Sequence, residues 1–151
     1  MLLARDIMTK EVISVPPDMP VEKLAALLYG KKISGAPVVD DGNVLVGVVT
    51  ESDLIDQTKK FHIPTVISIL DSVIFLDKED KIEGEIKKMT GRTVLDICTT
   101  SPKTVDEDTP LDEIATIMAD KKLHTLPVMK DGQLVGVVGK SDIIRTLIKN
   151  T

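Results

Sequence analysis

The sequence predicts a mixed α/β (α+β) fold made of two copies of one β-α-β-β-α unit, with a helical insert between them. The chain of 151 residues repeats its own sequence at an offset of about 90 positions. Each copy carries one stretch with helical periodicity and two apolar runs that are typical of strands. The segment between the copies has no counterpart elsewhere in the chain.

The internal repeat is visible residue by residue. Residues 6–9 (DIMT) align with residues 96–99 (DICT) at an offset of 90. One extra residue in the first hairpin then shifts the offset to 89, and residues 46–49 (VGVV) align with residues 135–138 (VGVV). Roughly 20 of about 50 aligned positions are identical, which is far above chance. Neither half is large enough to bury its own sheet, so we expect the two copies to pack together.

The first helix of each copy is indicated by apolar residues spaced i, i+3, i+4 and i+7. A capping box of Thr109 and Asp112, with Pro110 at the first helical position, is predicted to start the second of these helices. The apolar positions are Val21, Leu24, Ala25 and Leu28 in the first copy, and Leu111, Ile114, Ala115 and Met118 in the second.

The strands of each copy are predicted from short apolar runs around a hairpin turn. The turns carry Asp-Gly at residues 41–42 and 131–132, a strong hairpin signal. A second helix is predicted to begin near Glu51 and, in the second copy, near Lys140. The predicted strands cover residues 12–15, 37–39 and 44–49 in the first copy, and 104–105, 127–129 and 134–138 in the second.

The organisation predicted from these patterns is a first domain at residues 1–60, a helical insert or linker at 61–92, and a second domain at 93–151. Pro64 can open a helix in the insert, and residues 66–76 are its apolar part. The insert is too apolar for a flexible linker, so we expect it to pack on the repeats or on a partner subunit.

Composition excludes several classes of protein. The net charge of −5 and an aromatic content of 2% argue against a nucleic-acid binder. One cysteine and two histidines exclude a disulfide scaffold and a Cys-rich zinc site, and no motif indicates any other metal. We see no signal peptide and no apolar run of the roughly 20 residues that span a bilayer. We therefore expect a soluble protein of the reducing cytoplasm.

The sequence Thr50-Glu51-Ser52-Asp53, at the junction of a buried strand and a helix, has two interpretations. A Thr and an Asp three residues apart form a capping box, which needs no ligand. The same geometry suits a nucleotide, because a helix N-terminus binds phosphate and a nearby carboxylate can accept hydrogen bonds from ribose hydroxyls. In the second copy Asp142 repeats Asp53, whereas Gly139 replaces Thr50. No catalytic constellation accompanies either copy, so we predict a non-enzyme.

These motifs, taken together, resemble a family. DIMT, a helix, then IxxAPVVD at residues 33–40 and VGVVTxxD at residues 46–53 look like a cystathionine β-synthase (CBS) domain, and residues 96–144 look like a second one. Two in tandem resemble a Bateman module of the stand-alone prokaryotic type. The resemblance implies two β-α-β-β-α units related by pseudo-twofold symmetry, with two clefts that bind AMP, ADP, ATP or S-adenosylmethionine. It also implies pairing into a homodimer.

The resemblance also implies roles for individual residues. Asp53 and Asp142 would hold ribose hydroxyls, and Thr50 would contact phosphate. The adenine slots would be lined by Ile33, Ala36 and Pro37, and by Leu123, Leu126 and Pro127. Thr9, Ser14, Thr99 and Thr104 would lie near the base or the phosphates. Ser34 and His124 match a position that is often Arg or His in the phosphate-binding members of the family.

The function predicted from the sequence is a regulatory module that senses an adenosyl ligand and acts on a protein partner in trans. Gly139 and Ser34 depart from the phosphate-binding pattern, so we expect one competent site and one that is weaker or differently selective. The alternative is a structural dimerisation or interaction module with empty clefts, in which Thr50 and Asp53 only cap a helix.

Overall fold

The computed structural model describes residues 1–60 and 92–149. The predicted helix of the insert, after Pro64, lies outside the described residues. The described part confirms the mixed fold of helices and two sheets. Its helices are α1 (Ala4–Ile7), α2 (Val21–Lys31), α3 (Glu51–Lys60), α4 (Val94–Ile97), α5 (Leu111–Lys121) and α6 (Lys140–Lys149). Its strands are β1 (Gly35–Val39), β2 (Leu45–Thr50), β3 (Thr99–Thr100), β4 (Val105–Asp106), β5 (Thr125–Lys130) and β6 (Gln133–Gly139).

The two sheets have the strand orders β1-β2-β3 and β4-β5-β6. The predicted hairpins are confirmed: β1 pairs with β2 and β5 with β6, both antiparallel, and β4 runs parallel to β5. The predicted strand at residues 12–15 is reduced to a single parallel bridge between Val15 and Val38. Its counterpart in the second copy is the two-residue strand β4.

Each sheet is completed by a segment from the other repeat. β3, which precedes the second repeat's long helix, pairs with β2 of the first repeat. In the mirror arrangement, Thr9 forms an antiparallel bridge with Val137 of β6. The repeats therefore exchange their N-terminal segments, a feature that the sequence pattern does not reveal.

The short helices follow the same exchange. Ala4 and Ile7 of α1 are buried in the core of the second repeat, and Val94 of α4 is buried in the core of the first. Backbone hydrogen bonds fix both helices: Ala4 N–H donates to the Thr109 carbonyl at 2.8 Å, and Val94 N–H donates to the Met19 carbonyl at 2.9 Å. Neither repeat has a complete core without the other.

Both cores are aliphatic, as the scarcity of aromatic residues predicts. Leu24 of α2 and Ile114 of α5 occupy equivalent positions, and both are 0% exposed. The predicted apolar face of α2 is narrower than its sequence indicates, because Ala25 is exposed.

The predicted capping box at the start of α5 is wrong. Pro110 itself is the N-cap, with an extended backbone and no side-chain capping bond. Thr109 therefore lies one residue too early to cap. Its hydroxyl accepts a hydrogen bond from Asp106 N–H at 3.0 Å and closes the turn before the helix.

The C-terminal ends of α2 and α5 are the same in both repeats. Lys32 and Lys122 are the C-caps, each in the left-handed conformation with φ of 55°. Their backbone N–H groups donate to carbonyls of the last helical turn, at Leu28 and Met118. This turn leads the chain toward β1 and β5. It also places Lys32 in the lining of cleft 1 and Lys122 in the lining of cleft 2, both described below.

Candidate functional site

Two clefts lie between the repeats. Cleft 1 has a volume of about 350 Å³ and cleft 2 a volume of about 410 Å³. Both clefts are lined by residues of both repeats, and they share Ser34, Glu51, Thr125 and Lys140 as lining residues. Because these four residues face both clefts, the clefts are neighbours with a common wall.

Cleft 1 combines an apolar side from the first repeat with a polar side at the second repeat's last helix. Ile33 and Pro37 lie at the entry to β1 and within it. Asp142, Gly139 and Lys140 lie at the end of β6 and in the first turn of α6. An aliphatic wall facing a carboxylate and a helix N-terminus can hold a flat apolar group together with hydroxyl or phosphate groups.

Asp142 is the best-defined polar group in cleft 1. It is only 4% exposed, and its carboxylate accepts a hydrogen bond from Gly139 N–H at 2.8 Å. The Thr9 hydroxyl donates to the same carboxylate at 3.2 Å from the exchanged N-terminal segment. Arg145 forms an ion pair with it. A ligand diol would join or replace the Thr9 hydroxyl at this carboxylate.

Cleft 2 is formed by the matching elements. Leu123 and His124 lie at the entry to β5, and Thr50 lies at the end of β2. Thr99 reaches this cleft on β3, the strand that the second repeat adds to the first repeat's sheet. Lys103 also lines this cleft.

Asp53 occupies the same repeat position as Asp142 but lines neither of these clefts. Its carboxylate accepts hydrogen bonds from Thr50 N–H at 2.9 Å and from the Thr50 hydroxyl at 3.3 Å. Asp53 N–H donates back to the Thr50 hydroxyl at 3.4 Å, so the two residues form the reciprocal bonds of a capping box. Burial raises the pKa of Asp53, because the surroundings disfavour its charged form more than the bonds from Thr50 favour it.

The structure gathers most of the residues singled out from the sequence, but not all of them. Ala36 and Leu126 are 0% exposed and belong to the cores. The residues that line cleft 1 are Thr9, Ile33, Ser34, Pro37 and Asp142. Those that line cleft 2 are Ser34, Thr50, Thr99, Leu123 and His124. Those that line neither are Ser14, Ala36, Asp53, Thr104, Leu126 and Pro127.

Sequence reasoning missed several charged residues of the clefts. Glu11 and Lys32 line cleft 1, and Lys103 and Lys122 line cleft 2. The repeated lysine pairs at residues 31–32 and 121–122 are a visible signal, but a charged pair at a helix end is usually a solvated surface. In the folded chain the second lysine of each pair, Lys32 or Lys122, is the left-handed C-cap and lines a cleft. The sequence pattern alone does not indicate this placement.

Two kinds of site are absent from residues 1–60 and 92–149. These residues contain no group of three or more His, Cys, Asp or Glu side chains arranged to hold a metal ion. No helix among them is both long enough and apolar enough to cross a membrane.

Curated relatives cover nearly the whole chain. The chain is 31% identical over 144 residues to the chloroplastic CBS domain-containing protein CBSX2 of Arabidopsis thaliana, an alignment that covers 89% of this chain and 58% of CBSX2. The chain thus spans little more than half the length of this relative. It is 28% identical over 155 residues to the uncharacterized protein MJ1426 of Methanocaldococcus jannaschii, covering 97% of this chain and 92% of that one.

Solved structures share the fold. A crystal structure of CBSX2 in complex with AMP superposes with a TM-score of 0.74 at 28% identity, covering 99% of this chain and 98% of that one. The CBS domain pair of protein MJ0100, in complex with 5′-methylthioadenosine and S-adenosyl-L-methionine, has a TM-score of 0.72 at 23% identity. That match covers 100% of this chain and 99% of that one.

The family itself is identified by its sequence pattern. The pattern of the CBS domain matches residues 4–60 and again residues 94–149, which together make up most of the chain. The two matches coincide with the two repeats of the fold. The chain therefore belongs to the CBS domain family and carries two CBS domains in tandem.

Proposed function

We propose that this chain is a non-catalytic regulatory module that binds an adenosine nucleotide, with AMP as the reference ligand, and acts on a protein partner in trans. The observation that carries the proposal is cleft 1, where a buried carboxylate at a helix N-terminus faces an aliphatic wall from the other repeat. CBSX2, solved with AMP, is similar enough in sequence and fold to support this class of ligand.

The groups of cleft 1 match the parts of AMP. Ile33 offers aliphatic surface to the adenine, backed by the buried Pro37, a contact that needs no aromatic ring. Asp142 accepts hydrogen bonds from the ribose hydroxyls. The first turn of α6, with Lys140, favours the single phosphate through its N–H groups, its dipole and one positive charge.

Regulation follows from the shared construction of the clefts. A ligand in cleft 1 contacts both repeats at once, so its binding free energy depends on their relative arrangement. A ligand that binds one arrangement more tightly shifts the population toward it. The partner would then respond to the surface that this arrangement presents.

Pairing of two copies is part of the proposal. Ile55 of α3 and Ile144 of α6 occupy equivalent repeat positions, and they are 65% and 53% exposed. Apolar side chains at matching places on two helices favour association with a second copy. Light scattering on the purified chain should give the mass of a homodimer, and a monomer at all concentrations would contradict this part.

Calorimetric titration of the purified chain with AMP, ADP, ATP and S-adenosylmethionine tests the binding proposal. We expect saturable heat with at least one ligand and a rise in the unfolding temperature, since a ligand at 100 times its Kd stabilises the native state by about 2.7 kcal/mol. Guanosine monophosphate is the matched control. Neither heat nor a thermal shift with any of the four ligands would contradict the proposal.

A structural module with empty clefts is the second proposal, and one observation favours it. Asp53 and Asp142 both cap the helices that follow them, so both have a role without any ligand. Mass spectrometry of the protein as purified separates the two proposals. An adenine nucleotide that copurifies supports the regulatory module, whereas a structural module carries none and does not respond in the titration.

A further inference from the structure

The two clefts differ in charge at positions that correspond in the repeat. Lys103 lines cleft 2 where Ile13 lines cleft 1, and His124 stands where the first repeat has Ser34. The two clefts are thus built from corresponding backbone elements but carry different polar side chains. Any selectivity between the clefts must come from these differences.

The residues that line only one of the two clefts give the clefts different net charges. Cleft 1 alone has Glu11 and Asp142 against Lys32, and Arg145 pairs with Asp142. The residues that line only cleft 2 include two lysines, Lys103 and Lys122, and no carboxylate. Glu51 and Lys140 line both clefts and offset each other. Cleft 1 is therefore close to neutral, and cleft 2 is positive.

Cleft 2 shares with cleft 1 a helix N-terminus and a C-cap lysine, which attract anions, and adds Lys103 to them. Thr50, Glu51 and Ser52 line it at the start of α3, a helix of 10 residues whose N-terminal dipole is positive. Lys122 is the C-cap of α5, and its backbone is held by the hydrogen bond to the Met118 carbonyl. Two lysines and a helix N-terminus converge on one cavity, which is an arrangement that attracts phosphate.

We propose that cleft 2 is selective for the polyphosphate chain of a nucleoside diphosphate or triphosphate, whereas cleft 1 takes a nucleoside with no phosphate or one. This inference rests on the proposed nucleotide-binding function and assigns different ligands to its two sites. The common wall at Ser34, Glu51, Thr125 and Lys140 puts the two ligands side by side, so the module can compare nucleotides of different phosphate content.

The test is a set of calorimetric titrations with adenosine, AMP and ATP on three proteins. The first is the unmodified chain, and the second is the double variant Lys103→Gln/Lys122→Gln. The third is the control Lys31→Gln/Lys121→Gln, which removes the same charge from lysines outside both cleft linings. Thermal unfolding of each protein checks that it is folded.

The expected result is a loss of ATP affinity of about tenfold or more in the cleft variant, because hydrogen bonds from charged groups to phosphate are stronger than bonds between neutral groups. Adenosine affinity stays within about twofold, and the control binds ATP as the unmodified chain does. High salt should weaken ATP binding and leave adenosine binding unchanged.

Three results overturn the inference while the proposed function stands. The first is equal ATP affinity in the unmodified chain and the cleft variant, and the second is an equal loss of ATP affinity in the control. The third is ATP binding no tighter than adenosine binding to the unmodified chain. If none of the three ligands binds the unmodified chain, the proposed function falls together with the inference.

Discussion

Cleft 1 and cleft 2 have similar volumes and matching walls, yet they differ in the groups that would touch a ligand. The difference is clearest at the two aspartates that follow the last strand of each repeat. Asp142 lines cleft 1 and accepts a hydrogen bond from the Thr9 hydroxyl. Asp53 accepts a hydrogen bond from the hydroxyl of Thr50, three residues before it. Repeated backbone elements therefore do not give the two clefts the same ligand-binding groups.

A single substitution explains much of this difference. In the first repeat, the Thr50 hydroxyl donates to Asp53 and occupies part of its carboxylate. In the second repeat, Gly139 has no hydroxyl, and it contributes only its N–H to Asp142. Asp142 accepts instead from the Thr9 hydroxyl of the exchanged segment and forms an ion pair with Arg145. The loss of a hydroxyl at position 139 therefore goes with a different set of partners for the aspartate, one of which comes from the other repeat.

The largest expected effect tests whether the repeats are energetically one unit. Leu24→Ala and Ile114→Ala should each destabilise the protein by about 2–5 kcal/mol, because both remove fully buried side chains. Since α1 and α4 pack in exchanged positions, both variants should lower one common unfolding transition, measured by calorimetry. Tyr29→Ala is the control, because Tyr29 is 88% exposed. Two separate transitions, each moved by one variant, would contradict the coupling.

The next comparison concerns the two aspartates. Asp53→Ala removes the bonds from Thr50 N–H and the Thr50 hydroxyl and should cost about 0.5–2 kcal/mol in stability. Asp142→Ala also removes the bond from the Thr9 hydroxyl and the Arg145 ion pair at a more deeply buried position, so it should cost at least as much. Only Asp142→Ala should also weaken AMP binding in cleft 1, by roughly 10- to 100-fold. Titration with AMP and thermal unfolding measure the two effects separately. Equal losses of AMP affinity would show that the two aspartates play the same role.

Gly47 and Gly136 occupy equivalent repeat positions, and each lies against the segment contributed by the other repeat. Substituting each of them compares how closely the two segments pack. A Cβ on Gly47 would overlap the backbone oxygen of Thr99 in β3, whereas a Cβ on Gly136 would meet the flexible side chain of Met8. Gly47→Ala should therefore cost about 1–3 kcal/mol and Gly136→Ala less, since a side chain yields more easily than backbone. Chemical denaturation measures both values. A larger cost at Gly136 would contradict the close approach of β3 to β2.

The smallest expected effect is a pH dependence from Asp53. Burial raises its pKa in the folded state, so the folded protein binds this proton more tightly than the unfolded chain does. The resulting stabilisation is present at low pH and is lost as the pH rises through the folded pKa. Relative to the unmodified chain, Asp53→Asn should therefore gain stability as the pH rises above the ordinary aspartate pKa of about 3.9 and through the raised folded pKa. A constant difference across this range, measured by thermal unfolding, would refute the assignment.

Much of the fold was predictable because repetition and periodicity are local signals. The helices at Leu24 and Ile114, the Asp-Gly hairpins and the apolar strands were all predicted and are present. The exchange of α1 and α4 was not predicted, because a four-residue helix carries no pattern that says which repeat it packs on.

The candidate site was predictable in residue type but not in placement. The resemblance marked Asp53 and Asp142 alike, but Asp142 lines cleft 1 and is bonded to Thr9 and Arg145, whereas Asp53 is bonded to Thr50 and lines neither cleft. Lys103 was missed because an isolated lysine has no sequence signature, and Lys122 because a lysine pair at a helix end is usually solvated surface. Their position in one cleft depends on a strand exchange and on a left-handed helix end, both of which are properties of the folded chain.

The most direct test of the nucleotide-binding account is a crystal structure of the chain with ATP and adenosine added together. The account predicts adenosine in cleft 1, with its ribose on Asp142 and its base against Ile33. It predicts ATP in cleft 2, with its phosphates toward Lys103 and Lys122. Clefts without ligand at saturating concentration, or ligands bound only on other surfaces, would contradict the account.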